Sequence, residues 1–179
     1  PASHRTVYSG PSAELLDHPV VVGVLREIIA PDQILRNQPW GGPGEIPQAY
    51  GFRCDNSFFT IRPPNTAAGL PPHNGAVELF PTHTYQVLNG SIYSPATRVL
   101  WELNPVKKGK GGTQFLSGSH KSNFLIPENH KKVGDRLLED YECPAGSVLF
   151  FTETVCHSSA AWTDGDHDRV AIFSHYMHA

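Results

Sequence analysis

Beyond Pro31 this 179-residue chain carries no apolar repeat at helical spacing, which restricts most of it to strands joined by loops. Helix signals are confined to the start. Ser12 is placed to cap a short turn through Leu16. Asp17 is then placed to cap a helix with Pro19 in its first turn and Val21, Val24, Leu25, Ile28 and Ile29 along one face. Pro31 ends that helix. Residues 50–54 and 57–62 flank Asp55-Asn56 and predict a hairpin. Further strands are expected at 97–103, at 147–152 after the turn Pro144-Ala145-Gly146, and at 169–177. Pro and Gly dominate residues 63–75 and 105–112, which read as long loops. Lys107, Lys108 and Lys110 read as a solvated loop tip. Several short strands with turn signals between them, after a helical lead-in, predict an all-β sandwich or barrel.

Composition narrows the function classes. A 39% hydrophobic content supplies one core, and the length predicts one domain over residues 1–179. The net charge of −3 argues against nucleic-acid binding, which draws on a basic excess. The apolar runs are too short for a bilayer span, and no signal-peptide pattern is present, so a cytoplasmic protein without membrane contact is expected. The chain starts at Pro1, so upstream residues are expected. Cys54, Cys143 and Cys156 are dispersed without a paired spacing and read as reduced thiols. The ten histidines are many for this length, and neutral imidazole is the commonest metal ligand.

Chemistry concentrates in three segments: Pro71-Pro72-His73-Asn74-Gly75, residues 111–121 (GGTQFLSGSHK), and residues 145–159 (AGSVLFFTETVCHSS) followed by Arg169. In the third, a strand delivers His157 near its end and an arginine opens the next strand. An imidazole beside a guanidinium suits a metal and an anionic co-substrate, because a guanidinium grips a carboxylate through two parallel hydrogen bonds.

The order of these segments resembles the phytanoyl-CoA dioxygenase family, from about Leu15 to Tyr176 and most closely from Thr97 onward. The resemblance implies a double-stranded β-helix that binds Fe(II), 2-oxoglutarate and O₂ and acts on a small-molecule substrate. It implies His157 as the distal iron ligand, Arg169 as the partner of the far carboxylate of 2-oxoglutarate, and Ser159 and Trp101 as further co-substrate contacts. Asn74, next to the proximal histidine, joins that group.

The chain departs from the family at the proximal His-x-Asp or His-x-Glu motif, part of the 2-His-1-carboxylate triad. His73-Asn74-Gly75 has glycine third, and the rival His83-Thr84-Tyr85 has tyrosine. His73 is the preferred proximal ligand. Two explanations of the missing acid stay open. Glu153, four residues before His157 and of the same strand parity, could supply the carboxylate, with Glu78 and Glu102 as further candidates. Alternatively the position is vacant, as in halogenases of this fold, and chloride binds beside Gly75. The expected activity is therefore hydroxylation first and halogenation second. A non-catalytic β-helix binding module is the rival from another class.

Overall fold

The computed structural model describes residues 3–6, 9–30 and 51–179 apart from positions 68, 80, 89 and 123. Pro31 and the first residue of the expected hairpin lie outside them. The opening turn is a 3₁₀ helix, Pro11–Leu15, capped by Gly10, so Ser12 sits inside it. Helix α1 (Pro19–Ile28) is capped by His18 instead of Asp17, the His18 Nδ1 accepting from the Val20 N–H at 3.3 Å. The reason is Pro19: it lacks an N–H, suits the first helical position and forces the residue before it to be extended.

The described residues form nine strands, one before these helices and eight after: β1 (Ser3–Thr6), β2 (Phe52–Arg62), β3 (Gln86–Leu88), β4 (Ser91–Tyr93), β5 (Ala96–Glu102), β6 (Gly112–Phe115), β7 (Ser147–Thr152), β8 (His157–Ala160) and β9 (Arg169–His178). A short helix, α2 (Gly75–Leu79), follows His73. The expected hairpin at Asp55-Asn56 is instead one continuous strand. β2 pairs with β9 along its whole length, and a bulge between Cys54 and Asn56 absorbs Asp55. The Asp-Asn pair therefore satisfies a bulge, a second use of turn-forming residues in strands.

Strands β1-β2-β9-β5-β7 form one antiparallel sheet in that order. The facing sheet is built from β6 and β8, extended on one side by a bridge from His73 to His157 and on the other by one from Phe115 to Glu139. From β2 onward the chain alternates between the sheets, to position 73, back to β5, across to β6 and 139, back to β7, across to β8 and back to β9. This is the double-stranded β-helix that the sequence resemblance implies.

Period-two alternation assigns the two faces of the large sheet. Val99 and Trp101 of β5 and Ile172 and Tyr176 of β9 face outward and pack on Val21 and Leu25 of α1 and on Ile29, which caps its C-terminus. Each such buried aliphatic side chain contributes about 1.5–3 kcal/mol. The alternate residues Arg98, Arg169 and Phe173, with Phe58, Thr60 and Arg62 of β2, face the second sheet and line an internal cavity of about 260 Å³.

Candidate metal and anion site

His73 and His157 are partners in a backbone bridge, each N–H donating to the other's carbonyl at 3.0 Å. Their rings lie 4.2 Å apart between centroids. The Nδ1 of His73 lies 2.8 Å from the Pro71 carbonyl, and the Nδ1 of His157 lies 2.9 Å from the Val155 carbonyl. A carbonyl can only accept, so each Nδ1 carries a proton, and in the neutral ring Nε2 then keeps the lone pair. That is how metal-binding histidines are oriented in proteins. Burial pushes the His157 pKa down to about 4, which keeps the ring neutral and able to donate to a metal. The rival His83 lies in a separate 3₁₀ turn, its Nδ1 2.9 Å from the Thr82 hydroxyl. Only His73 is brought to His157.

Glu153 is 3% exposed, although the parity argument for it fails. Strand β7 ends at Thr152 and residues 153–156 turn before β8. What turns Glu153 inward is its backbone, whose N–H donates to Ala96 while its carbonyl accepts from Ala76, the residue after Gly75. Its carboxylate pairs with the Arg98 Nε, and Arg98 Nη1 reaches Asn56 Oδ1 at 3.2 Å. Burial opposes its charge, but Arg98 and His157 outweigh that and hold its carboxyl below the ordinary range. A Cβ built on Gly75 would collide with the Glu153 carboxylate oxygen. The space of the absent third side chain of the His-x-Asp motif is thus filled by Glu153. Among the described residues no three His, Cys, Asp or Glu side chains stand close enough to hold a metal together, since Glu153 is drawn to Arg98.

Two imidazoles engaged through Nδ1 and a buried carboxylate near them are the donor types of a 2-His-1-carboxylate iron site, so their chemistry, though not their present spacing, fits Fe(II). Phe151 packs edge-on against the His157 ring, centroids 5.0 Å apart, and covers that side with carbon.

The cavity also receives Arg169, 2% exposed. Its Nη2 donates to Glu102 Oε1 at 2.5 Å and to the Thr113 hydroxyl at 3.1 Å, and its Nε donates to the Glu102 carboxylate at 3.2–3.3 Å. Tyr141 donates to the same Glu102 oxygen at 2.5 Å. Burial opposes the Arg169 charge, but Glu102 and Tyr141 reverse this and hold it protonated. Ser159 lines the cavity and accepts from Arg62 Nη1 at 2.7 Å.

Other expected residues go elsewhere. Trp101 faces α1, its ring 5.5 Å from that of His18; alternation places it opposite Arg98, so it does not reach the cavity. Asn74 turns its Oδ1 to the Val77 N–H at 3.2 Å and caps α2. Glu78 is exposed and lies 3.9 Å from Lys131, and Glu102 is committed to Arg169. Lys107 is tied to Asp166 and Asp164 at 2.6 and 3.3 Å, so that loop tip is anchored. Sequence reasoning missed Arg62 and Arg98. The available signal was alternation: each is a charge on the inward parity of a β-prone run.

A profile of the phytanoyl-CoA dioxygenase family matches residues 7–171. The dioxygenase af480 of Aspergillus fumigatus is 29% identical over 83 residues, 45% of this chain but only 26% of that protein. The crystal structure of HygX from Streptomyces hygroscopicus with nickel and 2-oxoglutarate bound superposes with a TM-score of 0.72 at 19% identity, covering 99% of this chain and 70% of HygX. The epimerase SnoN, in complex with Fe³⁺, alpha ketoglutarate and nogalamycin RO, gives 0.62 at 15%, covering 99% of this chain and 64% of SnoN. At such identities these structures establish the shared fold. Among the described residues no helix is long and apolar enough to cross a membrane.

Proposed function

The chain belongs to the phytanoyl-CoA dioxygenase family, and on that premise we propose that it is a non-haem iron, 2-oxoglutarate-dependent oxygenase that hydroxylates a small organic substrate. The observation that carries this reading is the pair of bridged histidines, both fixed through Nδ1 with Nε2 left to donate. A β-helix kept only as a scaffold has no need of two buried or half-buried imidazoles in that tautomer.

In this reading His73 and His157 would hold the iron and Glu153 would supply the anionic donor. Fe(II) with 2-oxoglutarate and O₂ supplies the oxidising power to place oxygen on an unactivated C–H bond. The chain's own part is positional. Arg98 keeps Glu153 ionised beside the imidazoles, Phe151 keeps water from one face of His157, and Arg169 and Ser159 offer polar contacts to the co-substrate. Hydroxylation is favoured over halogenation because the space at Gly75, which chloride would need, is occupied by the Glu153 carboxylate.

The test is an anaerobic titration with Fe(II) and 2-oxoglutarate. The wild type should develop the weak visible charge-transfer band of a chelated 2-oxo acid, and His157→Ala should abolish it. A wild type that binds no iron under these conditions would return the chain to the scaffold reading. A saturable spectral response to chloride would instead favour the halogenase.

A further inference from the structure

Three arginines and two glutamates meet around the cavity: Arg62, Arg98 and Arg169 with Glu102 and Glu153. Arg98 is paired with Glu153 and Arg169 with Glu102. Arg62, 3% exposed, has no carboxylate within ion-pair distance among the described residues. Its partners are neutral: the Ser159 hydroxyl at 2.7 Å, the Ala160 carbonyl at 2.7 Å and the Ala67 carbonyl at 2.6 Å. A buried cation without a counter-charge is costly, and such groups are normally paired or wait for an anion.

Its position says which anion. Arg62 docks on Ser159 and Arg169 docks on Thr113, and Thr113 and Ser159 are direct cross-strand partners of β6 and β8. Side chains so placed are roughly 5 Å apart at Cβ. The two guanidiniums therefore stand side by side on adjacent hydroxyls of one wall. Arg62 feels the neighbouring charge: burial and then the Arg169 guanidinium lower its pKa. No bond of Arg169 Nη1 is found among the described residues, whereas its Nε and Nη2 are turned to Glu102. Arg169 brings hydrogen-bond donors whose charge Glu102 cancels, while no carboxylate among the described residues cancels the charge of Arg62.

We infer that Arg62 is the residue that selects a dicarboxylate co-substrate, the distal carboxylate binding between Arg62 and Arg169 with Arg62 supplying the net positive charge. The inference rests on the reading of the cavity as a 2-oxo-acid site and adds a residue to it. The alternative role for Arg62 is mechanical: its bonds to Ala67 and Ala160 tie the 63–72 loop, and hence His73, to β8.

The two roles separate in a comparison of two ligands in each protein. 2-Oxopentanoate has the chain length and 2-oxo acid end of 2-oxoglutarate but no distal carboxylate. With Mn(II) loaded anaerobically, affinities for both are measured by calorimetry in wild type and Arg62→Gln. Wild type should prefer 2-oxoglutarate, and Arg62→Gln should reduce that preference about 10- to 100-fold, the scale of a charged hydrogen bond, with 2-oxopentanoate affinity little changed. Equal losses for the two ligands, or an unchanged ratio, would overturn the inference and leave Arg62 as a loop tie. If Arg62→Gln does not fold, Arg62→Lys keeps the charge but loses the planar fork. Its preference should hold to within severalfold of wild type, and a loss of about 10-fold or more there, with the charge kept, would overturn the assignment of selection to that charge. A wild type that binds metal but neither 2-oxo acid refutes the co-substrate reading itself, a distinct result.

Discussion

A side chain at position 75 should disable the protein through Glu153, and removing Glu153 in the same molecule should repair it. The Cβ of any residue at Gly75 runs into the Glu153 carboxylate, so Gly75→Asp overpacks a buried site, at a cost of about 1–3 kcal/mol. It also sets a second carboxylate against the first. At about 4 Å and an effective dielectric constant of about 20, like charges repel by roughly 4 kcal/mol, and Arg98 and relaxation of Glu153 screen part of that. A net loss of about 2–4 kcal/mol follows, which for a chain of this length lowers the melting temperature by roughly 5–15 °C. Gly75→Asp with Glu153→Ala removes both terms and restores one carboxylate beside the imidazoles. The double variant should melt above Gly75→Asp and bind Mn(II) more tightly than Glu153→Ala, as read by scanning calorimetry and metal titration. Equal stability of wild type and Gly75→Asp would refute the steric argument. A double variant that binds metal no better than Glu153→Ala would refute the view that the two positions offer a carboxylate to the same place.

Other perturbations test other parts of the site. His73→Ala should lose most iron affinity while His83→Ala keeps it, because only the first ring is bridged to His157; a metal titration showing the reverse would reassign the proximal ligand. Trp101→Phe should leave 2-oxoglutarate affinity unchanged while lowering stability, since the ring packs on α1; weakened ligand binding at full stability would return Trp101 to the cavity. Glu102→Gln should destabilise the fold by about 3–5 kcal/mol, the cost of leaving a buried charge without its partner, measurable by denaturant unfolding. His157 is held neutral, with a folded pKa near 4 against an unfolded value of about 6.5. Its contribution, on the order of 3 kcal/mol, is fully present above pH 6.5 and is lost as pH falls towards 4. Metal-free His157→Gln should show a shallower acid limb in pH-dependent unfolding, and an unchanged limb would contradict the burial of a neutral ring.

The barrel and its distal end were legible from sequence because strand alternation and the Gly-Ser-His and Ala-Gly-Ser-Val segments are local signals. Strand β7 falls at residues 147–152 as read, and His157 and Arg169 do face one cavity. The sequence does not show which way Trp101 faces, because an aromatic in a β-prone run has two faces to choose from, and α1 claims the one opposite Arg98. The bulge at Asp55 looks like a turn in the sequence because both conformations favour the same residue types. Strand parity points Glu153 inward, but the structure breaks that parity; its inward position depends on contacts with Ala96 and Ala76, which are distant in sequence. Arg62 has its partners at positions 67, 159 and 160, so its lack of an acid is a tertiary fact.

The two histidines are also each other's backbone partners, through a pair of N–H to carbonyl bonds at 3.0 Å. An ion bound to both rings would rivet a rung that already exists, closing the long intervening segment with a second, independent fastening. Opening that rung would then require breaking metal bonds as well as hydrogen bonds. The amides of His73 and His157 should become the slowest to exchange with deuterium when metal is added, ahead of the central strands. The loop that carries His73 would thereby be bound into the barrel by metal as well as by hydrogen bonds.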